Sequence, residues 1–477
     1  MPEIYQSKFL NPAHIQPCRV VIGLPVLSSV YFNYTNTSLS YNRIFSESTD
    51  ADPHILPIDV FINQKLSKRN YISLDAHVHL FSLGIKTKKA NYTFDVTEKI
   101  GLWFGYPRNL FGFIGIGNGY EEYQKSSFNG IGIDFNYYRE YAFGYARQIN
   151  EYLAIGGRFK ALFGKINIYT KKLDVGINTN QEDLSWTLYA DSKLNMSLPL
   201  DIQQGENGQI DVDIADFSPL DLLLNRSNLG GAIDIGAIYN IDEYDKVKAY
   251  ASIVDFGLIR WTSYLTNIYQ DGEFTFEGIP DLLNIQATDY SEMLDSIYNE
   301  FLADVDHSNY YSFLPLKIYI GGTYKFTRKL TFGAVNRNMI YNSKVFPSLT
   351  LSANYQLFKL MKIALGYSII NKSYNNIGLT WYIGRRGLQF YISQDNNLFI
   401  PLNGYLYATK GLASKRVLGF ENYNLRFGFN IIFGCKQKDE IPEKDACPWM
   451  RRLDPDWLKN KEYYPSFHKK PKTRKKN

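Results

Sequence analysis

The feature that most constrains this chain is a strict alternation of apolar with polar or small residues, repeated in segment after segment. Leu349, Leu351, Ala353, Tyr355 and Leu357 alternate with Thr350, Ser352, Asn354 and Gln356. Met361, Ile363, Leu365, Tyr367 and Ile369 follow, opposite Lys362, Ala364, Gly366 and Ser368, and then Ile377, Leu379, Trp381 and Ile383. The pattern recurs over Ile131, Ile133, Phe135, Tyr137, Tyr141, Phe143 and Tyr145, where Arg139 interrupts the apolar face and marks a position near a membrane edge. It ends with Tyr423, Leu425, Phe427, Phe429, Ile431 and Phe433. Successive side chains of a strand point to opposite faces, so a period of two means strands whose faces meet different solvents.

Aromatic residues make up 16% of the chain, which excludes extensive disorder, since disordered segments are poor in them. No run approaches the ~18 uninterrupted apolar residues of a spanning helix; the best, residues 360–370, is broken by Lys362 and Gly366. An all-β soluble protein and a transmembrane β-barrel remain. Connection lengths favour the barrel, because tight turns near 148–151, 327–329, 358–359 and 385–386 alternate with long excursions, as in outer-membrane barrels. Strands are expected near 30–45, 72–80, 92–96, 131–147, 152–168, 230–240, 246–261, 312–326, 330–340, 348–357, 360–370, 375–384, 387–394 and 421–434. That reading is fourteen strands, and an even number puts both chain ends on the periplasmic side. Residues 170–229 and 262–311 become long loops, the first holding an extra hairpin through Trp186 and Leu188. The second carries a helix over 281–303, with Met293, Leu294, Ile297, Phe301 and Leu302 on one face.

Residues 435–477 differ in composition. They hold 13 Lys and Arg against 7 Asp and Glu, a net +6 in a chain whose total is +5, so the rest nets −1. Prolines 442, 448, 455, 465 and 471 exclude an interior strand. Trp449, Arg451, Arg452, Trp457, Tyr463 and Tyr464 make this periplasmic tail either a solvated appendage or a docking strip for an anionic lipid or protein partner. Cys435 and Cys447 either form a disulfide at the tail's start or stay as two thiols, and Cys18 stands alone.

On the polar faces, Asp75, His77, His79, Arg158, Lys160, Lys362 and Arg426 are expected to line the lumen. Asp75, His77 and His79 alternate on one strand; a lumen polar network explains them better than a metal, because three ligands on one flat strand rarely close a tetrahedral site. No nucleophile elbow, paired cysteine cluster or phosphate-binding glycine loop appears, and Gly115-Ile116-Gly117-Asn118-Gly119 reads as turn chemistry. The expectation is a non-enzymatic barrel with no cofactor, no metal and no nucleic-acid partner.

Phe9-Leu10-Asn11-Pro12-Ala13, Ile22-Gly23-Leu24-Pro25, Leu27-Ser28-Ser29-Val30-Tyr31, Ser82-Leu83-Gly84-Ile85-Lys86 and Val254-Asp255-Phe256-Gly257-Leu258-Ile259-Arg260-Trp261 occur in order over roughly residues 9–434. In these blocks the chain resembles an uncharacterised Bacteroidota outer-membrane barrel family. Asn11, Pro12 and Ala13 also resemble an element of the wider group of FadL-type fatty-acid transporters and the PorV and PorP/SprF barrels. The resemblance implies a fourteen-stranded barrel with the N-terminal segment folded back inside as a hatch. It gives an organisation of hatch 1–29, barrel 30–434 and tail 435–477, the last a departure from barrels that end near their final strand. Two functions are then open: a channel in outer-membrane lipid for a small hydrophobic or amphipathic compound, or a scaffold subunit that docks a periplasmic or outer-membrane protein through its tail.

Overall fold

The computed structural model describes residues 1–38, 57–117, 121–204, 210–214, 226–276, 304–396 and 421–435, apart from residues 2, 181, 184, 243–245, 343, 359, 372 and 386. It is a closed antiparallel barrel of fourteen strands. They are β1 (Val20–Gly23 with Val30–Asn36), β2 (Arg69–Lys86), β3 (Ala90–Pro107), β4 (Gly132–Gln148), β5 (Leu153–Thr179), β6 (Asn228–Asn240) and β7 (Val247–Trp261). The circuit continues through β8 (Leu316–Lys325), β9 (Leu330–Tyr341), β10 (Lys344–Phe358), β11 (Met361–Ile370), β12 (Ser373–Arg385), β13 (Gly387–Asp395) and β14 (Asn422–Phe433). Each pairs with its sequence neighbours, and β14 closes on β1, with Val30 opposite Phe427 and Tyr34 opposite Tyr423.

The alternation dictates an inside-out distribution. Large apolar side chains stand exposed on the outer face, among them Phe159 at 62%, Phe256 at 65% and Leu365 at 57%, while charged ones such as Asp95, Asp234 and Lys160 are buried. A soluble sandwich buries its apolar face and wets its polar one; this arrangement suits a protein with lipid outside and a polar interior. Among the described residues, Arg139 and Glu98 pair at 2.5 Å on the outer wall between β3 and β4.

Several boundaries differ from those expected. The first strand ends at Asn36 rather than near 45 and begins earlier, at Val20, so the wall starts inside the stretch assigned to the hatch. Its two pieces share one seam between β2 and β14: Val20 faces both Ile85 and Phe433, and Val30 faces Val78 and Phe427. Residues 24–29 bow out of the ladder yet keep the seam bonded, since Val26 N donates to His79 O at 2.9 Å and Phe429 N to Leu27 O at 2.8 Å. A segment that short, with Pro25 inside it, carries no alternation to read.

Beyond the expected end at 168, β5 runs on to Thr179, and this extension pairs with Trp186–Ser197, which pairs in turn with Leu265–Phe276. The strand expected at 312–326 is two elements, because Tyr310–Phe313 packs separately on β7 and β8 begins only at Leu316. A helix, α1 (Arg108–Gly115), was hidden by its glycines. The helix expected at 281–303 lies outside the described residues.

All the turns β2–β3, β4–β5, β8–β9 and both chain ends of the wall meet at one rim, where Val20 and Phe433 are partners. The longer connections leave from the opposite rim.

Candidate functional site in the barrel lumen

Residues 1–19 precede the wall and pack against its inner face on widely separated strands. Glu3 pairs with Lys362 on β11 at 2.6 Å, and its carbonyl accepts from Gln389 Nε2 on β13 at 2.8 Å. Gln6 Nε2 donates to the Asn430 side chain on β14 at 3.0 Å. Lys8 Nζ donates to Asp95 on β3 at 2.8 Å, and the Leu10 carbonyl accepts from Ser252 Oγ on β7 at 2.6 Å. Asn11 Nδ2 donates to the carbonyls of Ala237 on β6 and Ala251 on β7 at 3.0 and 3.2 Å.

The wall is cut to admit this segment. A Cβ on Gly156 of β5 would meet the Pro12 carbonyl oxygen at 2.3 Å, and one on Gly236 of β6 would meet Asn11 Oδ1 at 2.3 Å. The Asn-Pro-Ala element therefore has its own seat: Asn11 reaches the wall, Pro12 presses on Gly156, and Ala13 N closes a turn onto Asn11 Oδ1 at 2.9 Å. Tyr5 and Cys18 of the segment form a small buried apolar cluster with Val21 and Ile432, and Ile4 and Ala13 are buried as well.

Above and beside the segment runs a buried ion network. Arg158 on β5 reaches Asp95 at 3.4 Å and Asp234 at 3.2 Å, and Lys160 reaches Asp234 at 2.7 Å and Asp255 at 2.6 Å. Lys99 joins Glu140 at 2.6 Å and Asp255 at 3.5 Å, and Lys317 joins Asp255 at 2.8 Å. Asp255 thus gathers three lysines. It does so from a left-handed backbone, φ 62°, at a bulge where β6 and β7 slip register between Ile233 and Ile235. Bulges re-aim side chains, and aspartate tolerates positive φ better than most residues. Its N–H donates to Asp234 Oδ1 at 2.8 Å, which fixes the bulge to the same network.

The other side of the lumen is different. On β10 to β13, Ser352, Ser368, Thr380 and Ser393 are half-buried, with Thr350 and Ser368 hydroxyls 2.8 Å apart and Thr380 and Ser393 likewise.

Each residue expected in the lumen has a separate employment. Arg158 and Lys160 sit at the network's centre, and Lys362 holds Glu3. Arg426 lies over the Tyr31 ring at 4.4 Å, and Tyr31 in turn packs on His77 at 5.0 Å. His79 stacks on Phe9 at 4.6 Å and meets Thr97 Oγ1 at 3.1 Å. Asp75 lies 3.5 Å from where a Cβ on Gly101 would stand. The structure does not gather Asp75, His77 and His79 onto one centre.

Lys8, Asp95, Lys99, Glu140, Asp234, Asp255 and Lys317 escaped the sequence reading. The signal was available, since all but Lys8 and the bulged Asp255 fall at inward positions of the alternation and their signs nearly cancel. The cysteine pairing needs correction: Cys435 bonds Cys18, not Cys447. The two cysteines are 417 residues apart, and only barrel closure brings them together, at the rim where Val20 meets Phe433. Cys447 and the tail residues Trp449, Arg451, Arg452, Trp457, Tyr463 and Tyr464 lie outside the described residues.

Residues 12–395 match the profile of a family of unknown function, DUF5723. The chain belongs to that family. The DUF5723 match opens on Pro12 of the lumen segment and closes on Asp395, the last residue of β13. No curated protein matches the sequence. Among solved structures, the chain is similar to the Pseudomonas putida toluene transporter TodX, with 7% identity, 89% of this chain and 92% of that chain covered and a TM-score of 0.37. A Pseudomonas aeruginosa FadL homologue is similar at 8% identity, with 91% and 95% covered and a TM-score of 0.38.

Proposed function

We propose that the protein is an outer-membrane channel, with both termini in the periplasm, whose residues 1–19 are a hatch, and that it passes a small amphipathic compound. The observation that carries this reading is the polar character of the contact between segment and wall. A plug held by a broad apolar core would expose that core on leaving. Here Glu3, Gln6, Lys8 and Asn11 would exchange wall partners for water, and the apolar contacts that would be lost are few: the Tyr5 cluster, Ile4, Ala13 and the Phe9 stack on His79. Buried ion networks add little net stability over apolar packing but fix a unique arrangement, which suits a part that must reseat. The path we assign follows the hydroxyl row of Ser352, Ser368, Thr380 and Ser393, which suits a compound with both polar and apolar portions better than a purely apolar one.

The test is uptake of a fluorescent amphiphile into vesicles carrying the protein. Deleting residues 2–17, which keeps Cys18, should raise entry; equal entry with and without them would refute the hatch, and no entry in either would refute the channel.

The scaffold reading draws on a different observation. The Cys18–Cys435 bond fixes the start of the tail beside the entry of the hatch. A partner that pulled the tail would act on the rim where the hatch is attached. Crosslinking in native membranes with and without residues 436–477 tests it, and recovery of the barrel alone in both cases would remove it.

A further inference from the structure

Two of the connections on the long-loop rim are tight turns. Tyr341 of β9 pairs with Lys344 of β10, and Ile370 of β11 with Ser373 of β12. Each turn holds an asparagine in the left-handed region, Asn342 with φ 48° and Asn371 with φ 47°, a conformation asparagine tolerates better than most residues. Both turns stay at the mouth of the barrel, and their side chains reach across it. Asn371 Nδ2 donates to the Tyr71 hydroxyl of β2, and Asn342 Nδ2 donates to Asp134 of β4 at 3.4 Å.

More contacts cross at the same level. Phe346 of β10 meets the Tyr71 ring edge to face, with centroids 5.2 Å apart, and Lys344 Nζ stands 5.2 Å from the Trp103 ring of β3. Asn136 Nδ2 of β4 donates to the Tyr341 hydroxyl of β9 at 3.5 Å. Strands β2 to β4 and β9 to β12 lie on opposite sides of the fourteen-strand circuit, so these contacts span the lumen rather than follow the wall. The backbone makes room for them at Gly105, the register partner of Tyr71. A Cβ there would meet the Trp103 ring at 2.5 Å, so the glycine leaves Trp103 free to stack on Tyr71 with centroids 6.0 Å apart.

From the mouth downward the inward positions of β10 are Phe346, Ser348, Thr350 and Ser352, so the aromatic contact stands at the outer end of the hydroxyl row. Aromatic side chains carry large area on two χ angles and therefore hold a fixed outline. We propose that the Tyr71–Phe346 contact, braced by Trp103 and Asn371, is a size filter at the outer mouth of the channel proposed above, on which it rests, and that it sets the largest compound able to reach the hydroxyl row. The filter lies at the end of the lumen away from the hatch, so the two act in series.

Swelling of liposomes in glucose, sucrose, raffinose and stachyose tests it, with every variant made in the protein lacking residues 2–17 so that the hatch does not limit entry. Tyr71→Ala with Phe346→Ala should shift the size limit toward stachyose, speeding the larger sugars many-fold and glucose little. Phe346→Ala alone should give a smaller shift in the same direction, which serves if the double variant fails to fold. Tyr71→Phe keeps the ring and should keep the original limit. Tyr382→Ala, which removes an inward aromatic of β12 far from the mouth, should also leave the limit unchanged. Heat-modifiable gel mobility checks that each variant is folded. Sugar entry with an unchanged limit in the folded Tyr71 and Phe346 variants, or an equal shift in Tyr382→Ala, would overturn the filter and leave the channel standing. Entry of no sugar through any variant would remove the channel and the filter with it.

Discussion

Lys8 and Asp95 meet at 2.8 Å inside the barrel, one from the N-terminal segment and the other from β3, with side-chain exposures of 2% and 0%. Asp95 also faces Arg158 at 3.4 Å, so the Lys8 amine ties the N-terminal segment into the wall's network. Replacing Lys8 with Met should leave the carboxylate half-compensated. Breaking one partner out of a buried pair costs about 3–5 kcal/mol, less where water can enter. Hydrogen exchange in residues 4–16 should rise while the strands keep their protection; unchanged protection of the segment would show that the pair does not hold it.

Gly156 gives a steric counterpart. A side chain there meets backbone atoms of Pro12 at 2.3 and 2.6 Å, which cannot rotate away. Gly156→Val should therefore displace the Asn-Pro-Ala element while β5 still forms, because β-branched residues suit strands. The same exchange signature as in the Lys8 variant is expected, with heat-modifiable mobility retained. A folded variant with an undisturbed segment would contradict the seat described for Pro12.

The Cys18–Cys435 bond closes nearly the whole chain into one loop. Restricting so long an unfolded loop is worth about 2–5 kcal/mol in chain-entropy terms. Urea midpoints should fall on reduction in the native protein and in Cys447→Ser, and Cys18→Ser should be insensitive to reductant. A reductant effect that disappears in Cys447→Ser instead would restore the pairing within the tail.

The barrel was legible in the sequence because its walls obey one rule. Leu349 to Leu357 and Met361 to Ile369 show the period of two without interruption, and those strands fall where expected. The rule failed where the chain departs from it locally. Residues 20–23 are too short to alternate, Asp255 faces the lumen only because a bulge shifts β7, and Lys8 belongs to no strand. Lys99, Glu140 and Asp234 were visible as inward charges but gain meaning only when closure sets β3 to β7 around one lumen. The pairing of Cys18 with Cys435 depends on the same closure, which no local spacing encodes.

The two faces of β10 and β11 should respond oppositely to charge. Leu365 stands 57% exposed on the outer face, and with lipid there Arg in its place should cost about 2–4 kcal/mol near the midplane. Ser352, one face inward on β10, should accept Asn at little cost. Folding into bilayers from urea measures both, and equal sensitivity would deny that the outer face meets lipid.

The central claim, that residues 1–19 close the lumen, is tested most directly by single-channel recording in planar bilayers. The full-length protein should show no steady conductance, and the variant lacking residues 2–17 should open a stable pore at the same applied potential. A steady conductance of the same size in both would contradict the account, because the segment would then lie in the barrel without obstructing it.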